Sequence, residues 1–206
     1  GGSSTCTQVP NSGYAFAGWS GACTGTGACT LTNVITDLTV TANFGYAVTG
    51  TASPVQGGSV TCTPNPVAPG ATTSCTVSTN AGYTLSSVSG CGSGSLSGNT
   101  YTTAAVNATC TVTASYATNT YNILKQSNPL AGGTVTCTPD PVNHGGSTSC
   151  SQTPNAGYTF TNWSGACSGN GACAPSNVTA NLTITANYTL NTYAVTSTAS
   201  PTQGGS

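Results

Sequence analysis

Apolar and polar residues alternate in short segments that recur along the chain. Leu182–Tyr188 reads Leu-Thr-Ile-Thr-Ala-Asn-Tyr, and the segments 38–44 and 110–116 repeat this pattern with small changes. Alternation of this kind predicts β-strands that bury one face. Thr134–Thr138, which reads Thr-Val-Thr-Cys-Thr, alternates in the same way. No stretch shows a helical apolar period, and the abundant Gly, Thr and Pro oppose helix, so the pattern predicts an all-β fold.

The same pattern divides one stretch of the chain into the elements of a small module. The expected strands are 120–128, 134–138, 147–153 and 182–188. Pro129–Gly133 has the composition of a turn between the first two strands. Residues 139–146 combine rigid Pro with permissive Gly and are expected to form a loop.

Longer similarities show that the chain is a tandem array. Residues 157–173 closely repeat 13–29, and 82–91 is a degenerate middle copy. The copies lie roughly 70 residues apart, within or slightly above the periods of known arrays and solenoids. The predicted parts are a partial repeat 1–44, full repeats 46–116 and 120–188, and a partial repeat 192–206 that holds a first hairpin. A tandem array favours a spacer or a fibre over a catalytic machine.

The cysteine spacings follow the repeats and predict five disulfides. The economical pairs are Cys62–Cys75, Cys137–Cys150, Cys23–Cys29, Cys167–Cys173 and Cys91–Cys110. A bridge that closes a loop of about 15 residues stabilises by roughly 3 kcal/mol, a large share for a small module. Disulfides place the protein outside the reducing cytosol. The rival interpretation is structural zinc, but zinc favours closer cysteine pairs grouped as four ligands, and no His or acid lies near the Cys-x5-Cys loops.

Cys6 is left over by this pairing. Its place in the repeat makes it the equivalent of Cys75 and Cys150, so its partner would precede residue 1. At the other end, 198–206 copies 51–59 and stops just before its cysteine. Either the sequence is a window on a longer polypeptide, or the incomplete ends complete each other between chains.

Charge is almost absent from the chain. Lys125 is the one basic residue, Asp37 and Asp140 are the two acids, and the formal net charge is −1. Nucleic-acid binding and polybasic membrane binding both need several Lys or Arg, so both classes are excluded. No apolar run approaches the ~20 residues of a membrane span, and no membrane insertion is expected. An uncharged surface of Thr, Ser, Asn and Gly favours self-association with identical chains or adjoining repeats.

Three motifs in a fixed order carry a family resemblance. Gly-Tyr-x-Phe-x-x-Trp-Ser-Gly-x-Cys, a Cys-x5-Cys loop and a final Thr-x-Thr-Ala-Asn-aromatic strand follow one another in 13–44 and 157–188. This order resembles the divergent internalin B-type tandem repeat of bacterial cell-surface proteins, over essentially the whole chain. The resemblance implies small β-rich, β-grasp-like modules used as a stalk, adhesin segment or surface array. It supplies no catalytic motif.

The aromatic residues of the motif are expected to form the core of each module. The candidate core aromatics are Trp19, Trp163, Phe16 and Phe160. The middle copy departs from the pattern, since Val88 replaces the tryptophan and the second cysteine is displaced to Cys110. Its core should therefore pack differently.

Candidate chemistry is sparse. Asp140 and His144 lie in the Pro/Gly loop of the third copy, but neither recurs in the equivalent loop 64–70, so we expect a solvated loop rather than a catalytic pair. Two separated Asp residues do not suggest paired-carboxylate hydrolysis, and they cannot supply the oxygens of a typical calcium site. We expect no enzyme, no metal and no cofactor.

Recurrent tyrosines are the better binding candidates. Tyr14, Tyr83 and Tyr158 each follow Gly once per repeat. If these rings are exposed in a row they offer a stacking surface for glycans; if they are buried they belong to the core. The leading hypothesis is a subunit or segment of an extracellular bacterial fibre or stalk at the cell surface. The alternative is an adhesin segment that binds glycan or a host surface through these rings.

Overall fold

The computed structural model describes residues 1–198 and 200, and the described chain is all-β, which confirms the predicted fold class. The residues group into two compact units, one from Gly1 to Thr118 and a second that begins at Asn119. Part of the predicted final partial repeat, at 199 and 201–206, lies outside the described residues. Its described residues 192–198 form no strand.

The first unit contains the partial repeat and the second repeat. Its strands are β1 (Gly2–Cys6), β2 (Ala15–Gly21), β3 (Cys29–Val34), β4 (Val40–Gly45), β5 (Val48–Ser53), β6 (Gly58–Thr63), β7 (Ser74–Thr79), β8 (Tyr83–Gly90), β9 (Ser95–Ser97), β10 (Thr100–Thr102) and β11 (Cys110–Thr118). A short 3-10 turn, Val55–Gly57, joins β5 to β6. The sheet orders are β1-β3, β2-β4, β6-β7-β10-β9 and β5-β11-β8.

The second unit contains the third repeat. Its strands are β12 (Thr120–Tyr121), β13 (Ile123–Asn128), β14 (Gly133–Thr138), β15 (Val142–Asn143), β16 (Ser149–Pro154), β17 (Tyr158–Gly165) and β18 (Leu182–Leu190). The sheet orders are β12-β15, β13-β18-β17 and β14-β16. A 3-10 turn, Leu130–Gly132, stands where turn composition predicts one.

The last strand of a full repeat lies in the middle of a mixed sheet. In the third repeat β18 pairs in parallel with β13 and antiparallel with β17. In the second repeat β11 pairs in the same two ways with β5 and β8. Because neighbours cover both edges and a second layer covers one face, Ile184 and Ala186 have no exposed surface. The apolar positions of the alternating sequence pattern therefore form the inner face of a central strand.

A disulfide-stapled hairpin forms the second layer of each full repeat. Strands β14 and β16 pair antiparallel, with Cys137 directly opposite Cys150. The hairpin packs on the last aromatic residue of the central strand, since the Tyr188 hydroxyl donates to the Thr134 carbonyl at 3.1 Å. Gly132 lies against the Tyr188 ring, where an added Cβ would meet ring atoms at 2.7 Å. The Gly-Gly pair after each Pro turn is thus needed for close packing of backbone on ring.

One boundary prediction was wrong. The expected first strand 120–128 is divided at Asn122 into β12 and β13. The reason is that β12 pairs with β15, a short strand inside the segment 139–146 that was expected to be a loop. Val142 in this strand is almost fully buried, so the segment contributes to the core.

Candidate functional site

Five disulfides join the cysteines in the pairs that the spacing predicts. They are Cys23–Cys29, Cys62–Cys75, Cys91–Cys110, Cys137–Cys150 and Cys167–Cys173. Cys6 is a free, half-buried thiol. It lies in β1 opposite Cys29, just as Cys150 faces Cys173 in the third repeat.

A tryptophan closes the Cys-x5-Cys loop in the first and third repeats. The Trp163 indole N–H donates to the Gly171 carbonyl at 3.1 Å, and its backbone N–H donates to Gly169. Trp19 makes the corresponding indole bond to Gly27 at 3.0 Å. Both tryptophans are buried, so each satisfies its polar N–H while its ring fills the core.

The two candidate core phenylalanines are half-buried beside these tryptophans. Phe16 meets Trp19 with ring centroids 5.1 Å apart, and Phe160 meets Trp163 at 5.2 Å. Phe160 also contacts the Tyr188 ring edge-on at 5.9 Å. The aromatic residues of one repeat therefore form one cluster rather than a row of exposed rings.

In the middle repeat a tyrosine from a separate hairpin supplies the large buried ring that a tryptophan supplies in the other two repeats. The hairpin β9–β10 brings Tyr101 opposite Cys75, the register that Cys173 holds opposite Cys150 in the third repeat. Tyr101 is almost fully buried, and its hydroxyl donates to the Gly90 carbonyl at 2.8 Å. Val88 is half-buried beside it. The sequence predicted a different core in this repeat but did not identify Tyr101. The signal that could have found it was the displaced second cysteine, because Tyr101 occupies the register position that this cysteine holds in the third repeat.

The three candidate stacking tyrosines do not share one environment. Tyr83 and Tyr158 are half-buried against hydrophobic clusters of their own repeats. Tyr14 is 40% exposed, but its ring stacks on Tyr46 with centroids 4.7 Å apart. The two hydroxyls lie 2.9 Å apart, and this hydrogen bond raises the pKa of Tyr46.

Tyr46 also marks the junction of the partial repeat with the second repeat inside the first unit. Its backbone exchanges two hydrogen bonds with Val67, at 2.8 and 2.9 Å. The preceding Gly45 is buried, and a Cβ there would collide with the Val67 carbonyl. This junction residue was missed from sequence, although a Tyr recurs two residues before Val48, Ile123 and Val195, at 46, 121 and 193.

The expectation of a solvated loop at Asp140 was wrong. The Asp140 carboxylate accepts a hydrogen bond from the Ile123 backbone N–H at 3.0 Å and forms an ion pair with Lys125. Its pKa is lowered, first by the hydrogen bond from Lys125 and then by the Ile123 N–H. In the second repeat Asn65 bonds to the N–H of Val48 in the same way, at 2.9 Å. Asp140 therefore holds the first strand in place. The positive charge of Lys125 balances the carboxylate of Asp140, whereas the neutral amide of Asn65 needs no such partner.

His144 also has a structural partner rather than a nucleophile. Its Nδ1 lies 3.1 Å from the Tyr121 hydroxyl, and its backbone N–H donates to the Asn119 carbonyl. These contacts fasten the loop to the start of the repeat. Among residues 1–198 and 200, no group of three or more His, Cys, Asp or Glu residues is placed to hold a metal ion. The same residues include no helix with the length and hydrophobicity needed to cross a bilayer.

The partial repeat exposes a strand edge that the full repeats cover. Strand β4 pairs with β2 on one side and, within the described residues, with no strand on the other. Elsewhere in the partial repeat, a groove of about 350 Å³ lies beside β2 and the Cys23–Cys29 loop, lined in part by Cys6, Phe16 and Trp19. In the full repeats the first strand covers the equivalent edge, and the second strand bridges to the equivalent of Cys6.

These features define the class of protein as a tandem array of small, disulfide-stapled β modules. Residues 1–48, 46–120 and 125–192 each match the family model of the divergent InlB B-repeat domain. The chain belongs to this family, as the resemblance predicted. A comparison with curated proteins found no match. The family is typical of repeat segments in surface proteins, and together with the five disulfides it indicates an extracellular location.

Proposed function

We propose that this chain is a segment of an extracellular bacterial fibre or stalk in which each repeat carries tension along the polypeptide. One observation supports the proposal above others. The first and last strands of both full repeats lie side by side and run parallel, over six paired positions in each case.

Parallel terminal strands determine how a repeat responds to pulling. The chain enters the third repeat at the start of β13, where Ile123 pairs with Leu182, and leaves it beyond Leu190. Entry and exit therefore lie at opposite ends of the strand pair, about 20 Å apart for six residues. Tension slides the strands past each other, so their hydrogen bonds must break together rather than one after another.

The disulfides and the very low charge content fit the same function. Cys137–Cys150 closes a loop with a sequence separation of 13, so a forced repeat cannot release that length while the bond is intact. A surface with one Lys and two Asp has little electrostatic repulsion for salt to screen. We expect the mechanical behaviour to vary little with ionic strength.

Single-molecule pulling on the full chain tests the proposal. Handles attached by chemistry that spares cysteine at positions 120 and 190 load the third repeat in shear. Handles at 158 and 190 are the matched control, because Tyr158 and Leu190 are register partners at one end of an antiparallel pair and are peeled apart. We expect unfolding at a force at least about twofold higher in shear, since several ladder bonds share the load. Equal forces in both geometries would overturn the proposal.

The adhesin alternative stays a prediction. Tyr46 covers the ring of Tyr14, and Tyr83 and Tyr158 are half-buried. These positions do not favour a continuous row of exposed rings for glycan stacking.

A further inference from the structure

We propose that Tyr14 and Tyr46 form an oxidative cross-linking site, at which a one-electron oxidant such as a peroxidase with hydrogen peroxide joins the two rings covalently. The inference goes beyond the stalk function and does not depend on it, because it concerns the chemistry of two phenols. The bond would be a covalent tie of a different kind from the five disulfides.

The two phenols are already in contact. Their ring centroids lie 4.7 Å apart with 29° between the ring planes, and their hydroxyl oxygens lie 2.9 Å apart. Because the oxygens are closer than the centroids, the rings converge toward their hydroxyl ends. The carbons ortho to the hydroxyls, which are the carbons that couple in oxidised tyrosine, lie in this converging part. A pair held in this way reacts within one molecule and needs no collision between chains.

The backbone fixes the position of both rings. Ala15 pairs with Gly45 at the end of the β2–β4 sheet, so Tyr14 and Tyr46 lie just beyond the last pair of the two strands. The backbone of Tyr46 also exchanges two hydrogen bonds with Val67. Tyr14 is 40% exposed, which opens its ring edge to an oxidant and gives the ring room to turn toward its partner.

The equivalent tyrosines of the full repeats face a different residue across their ladders. Tyr83 pairs with Thr118 in the β8–β11 ladder, and Tyr158 pairs with Leu190 in the β17–β18 ladder. In the partial repeat the residue at this position is itself a tyrosine, Tyr46. The site therefore belongs to the junction between the partial repeat and the second repeat, and the other two tyrosines serve as internal controls.

The coupling is a two-electron oxidation of the pair. Each phenol gives up one electron and its hydroxyl proton, and the two phenoxyl radicals join through a carbon–carbon bond between ortho carbons. The hydrogen on each of these carbons then moves to oxygen by way of solvent, so both hydroxyls are restored. The pair loses two hydrogen atoms in total, and hydrogen peroxide takes them up as it is reduced to two water molecules. The disulfides indicate an oxidising compartment, where such oxidants act.

The cross-link would close the chain around three strands of the partial repeat. Residues 14 and 46 flank all of β2, β3 and β4. A covalent bond between them lets tension pass from one to the other without loading those strands. An oxidised chain should therefore keep β2 on β4 under a load that peels them apart before oxidation.

The test is treatment of the full chain with peroxidase and hydrogen peroxide at low protein concentration, which keeps coupling between chains slow. We expect a single chain lighter by two hydrogen atoms, the blue fluorescence of coupled phenols, and one cross-linked peptide pair that holds residues 14 and 46. Tyr14→Phe and Tyr46→Phe each keep the ring but lose a phenol, and each should lower the yield at least about tenfold. Tyr158→Phe is the matched control and should leave the yield within about twofold, since Leu190 opposite it cannot couple.

Three results would overturn the inference. They are a cross-link that maps to other tyrosines, a yield that both Tyr14→Phe and Tyr46→Phe leave unchanged, and no cross-link under conditions that couple free tyrosine. Emission from Trp19 before oxidation checks that each variant remains folded, so that a lost cross-link is not a lost fold. Each of these results leaves the stalk function standing, because the pulling experiment uses the chain before oxidation.

Discussion

The partial repeat and the second repeat carry the same last strand in different surroundings. Strand β4 holds Val40 and Ala42 where β11 holds Val112 and Ala114. Val112 and Ala114 have no exposed surface, whereas Val40 and Ala42 are half-buried. The difference is the neighbour: β11 is covered by β5 on one edge, and β4 has no such cover in the described chain. Burial in a repeat array is therefore decided by the adjoining hairpin as much as by the strand itself.

The comparison also explains where stability should reside. In repeat proteins, stability is approximately a sum of the intrinsic stability of each unit and its interface terms. The second and third repeats each contain a first hairpin and the disulfide that joins its strands. The partial repeat keeps the Cys-x5-Cys loop and its tryptophan but has no covalent tie at Cys6. It should therefore be the less stable part of the chain.

The largest expected difference concerns the disulfides. Replacing Cys137 and Cys150 by Ser should destabilise the third repeat by about 3 kcal/mol, because the unfolded loop is no longer constrained. Cys6→Ser, at the equivalent position in the partial repeat, should change stability by less than about 0.5 kcal/mol. Urea unfolding followed by tryptophan fluorescence measures both.

The partial repeat and the third repeat can be followed separately, since Trp19 and Trp163 are the two tryptophans of the chain. Trp19→Phe leaves a reporter in the third repeat, and Trp163→Phe leaves one in the partial repeat. Each cysteine variant is compared with its own single-tryptophan parent. A large loss on Cys6→Ser would mean that this thiol already has a stabilising role, and would contradict the comparison.

A smaller difference is expected from one substitution made at two equivalent sites. Val112→Ala should cost about 2 kcal/mol, because it leaves a cavity in a fully buried site. Val40→Ala should cost about half as much, since its side chain already meets solvent. Hydrogen exchange of the amides in β11 and β4 reports each local cost. Equal costs would contradict the comparison, because they would show that the neighbouring strand β5 adds nothing to the burial of β11 at this position.

The strands were predictable because they depend on local pattern, and the disulfide pairs followed from spacing because both members lie within one repeat. The parallel pairing of β13 with β18 was not predictable, since it joins strands nearly a whole repeat apart and leaves no local periodicity. Tyr101 was missed because it enters the core from a hairpin that, within the described residues, only the middle repeat contains. Asp140 was misjudged because the two equivalent loops were compared only for identical residues. Asn65 accepts the same hydrogen bond in the second repeat, with a neutral oxygen.

The smallest expected effect distinguishes the carboxylate oxygen of Asp140 from the amide oxygen of Asn65 by its dependence on pH. The pKa of Asp140 is lowered in the folded chain, so its contribution to stability is present above the unfolded pKa and is lost as the pH falls through the lower, folded value. The third repeat should therefore lose stability below about pH 4, the region where an unfolded Asp titrates. The loss should stay below about 1 kcal/mol, because partly exposed ion pairs contribute little.

Asp140→Asn gives the third repeat the same kind of amide acceptor that Asn65 provides in the second repeat. It should remove the acid-dependent loss while the amide oxygen keeps the bond to Ile123, and it leaves Lys125 without its anionic partner. Unfolding followed at Trp163 between pH 2 and 6 measures the effect, with Asp37→Asn, an exposed acid of the first unit, as the control. If Asp140→Asn keeps the acid dependence, the lowered pKa does not contribute to folding. If it unfolds the repeat at neutral pH, the equivalence of Asp140 and Asn65 fails, and the ion pair rather than the shared hydrogen bond fastens the first strand.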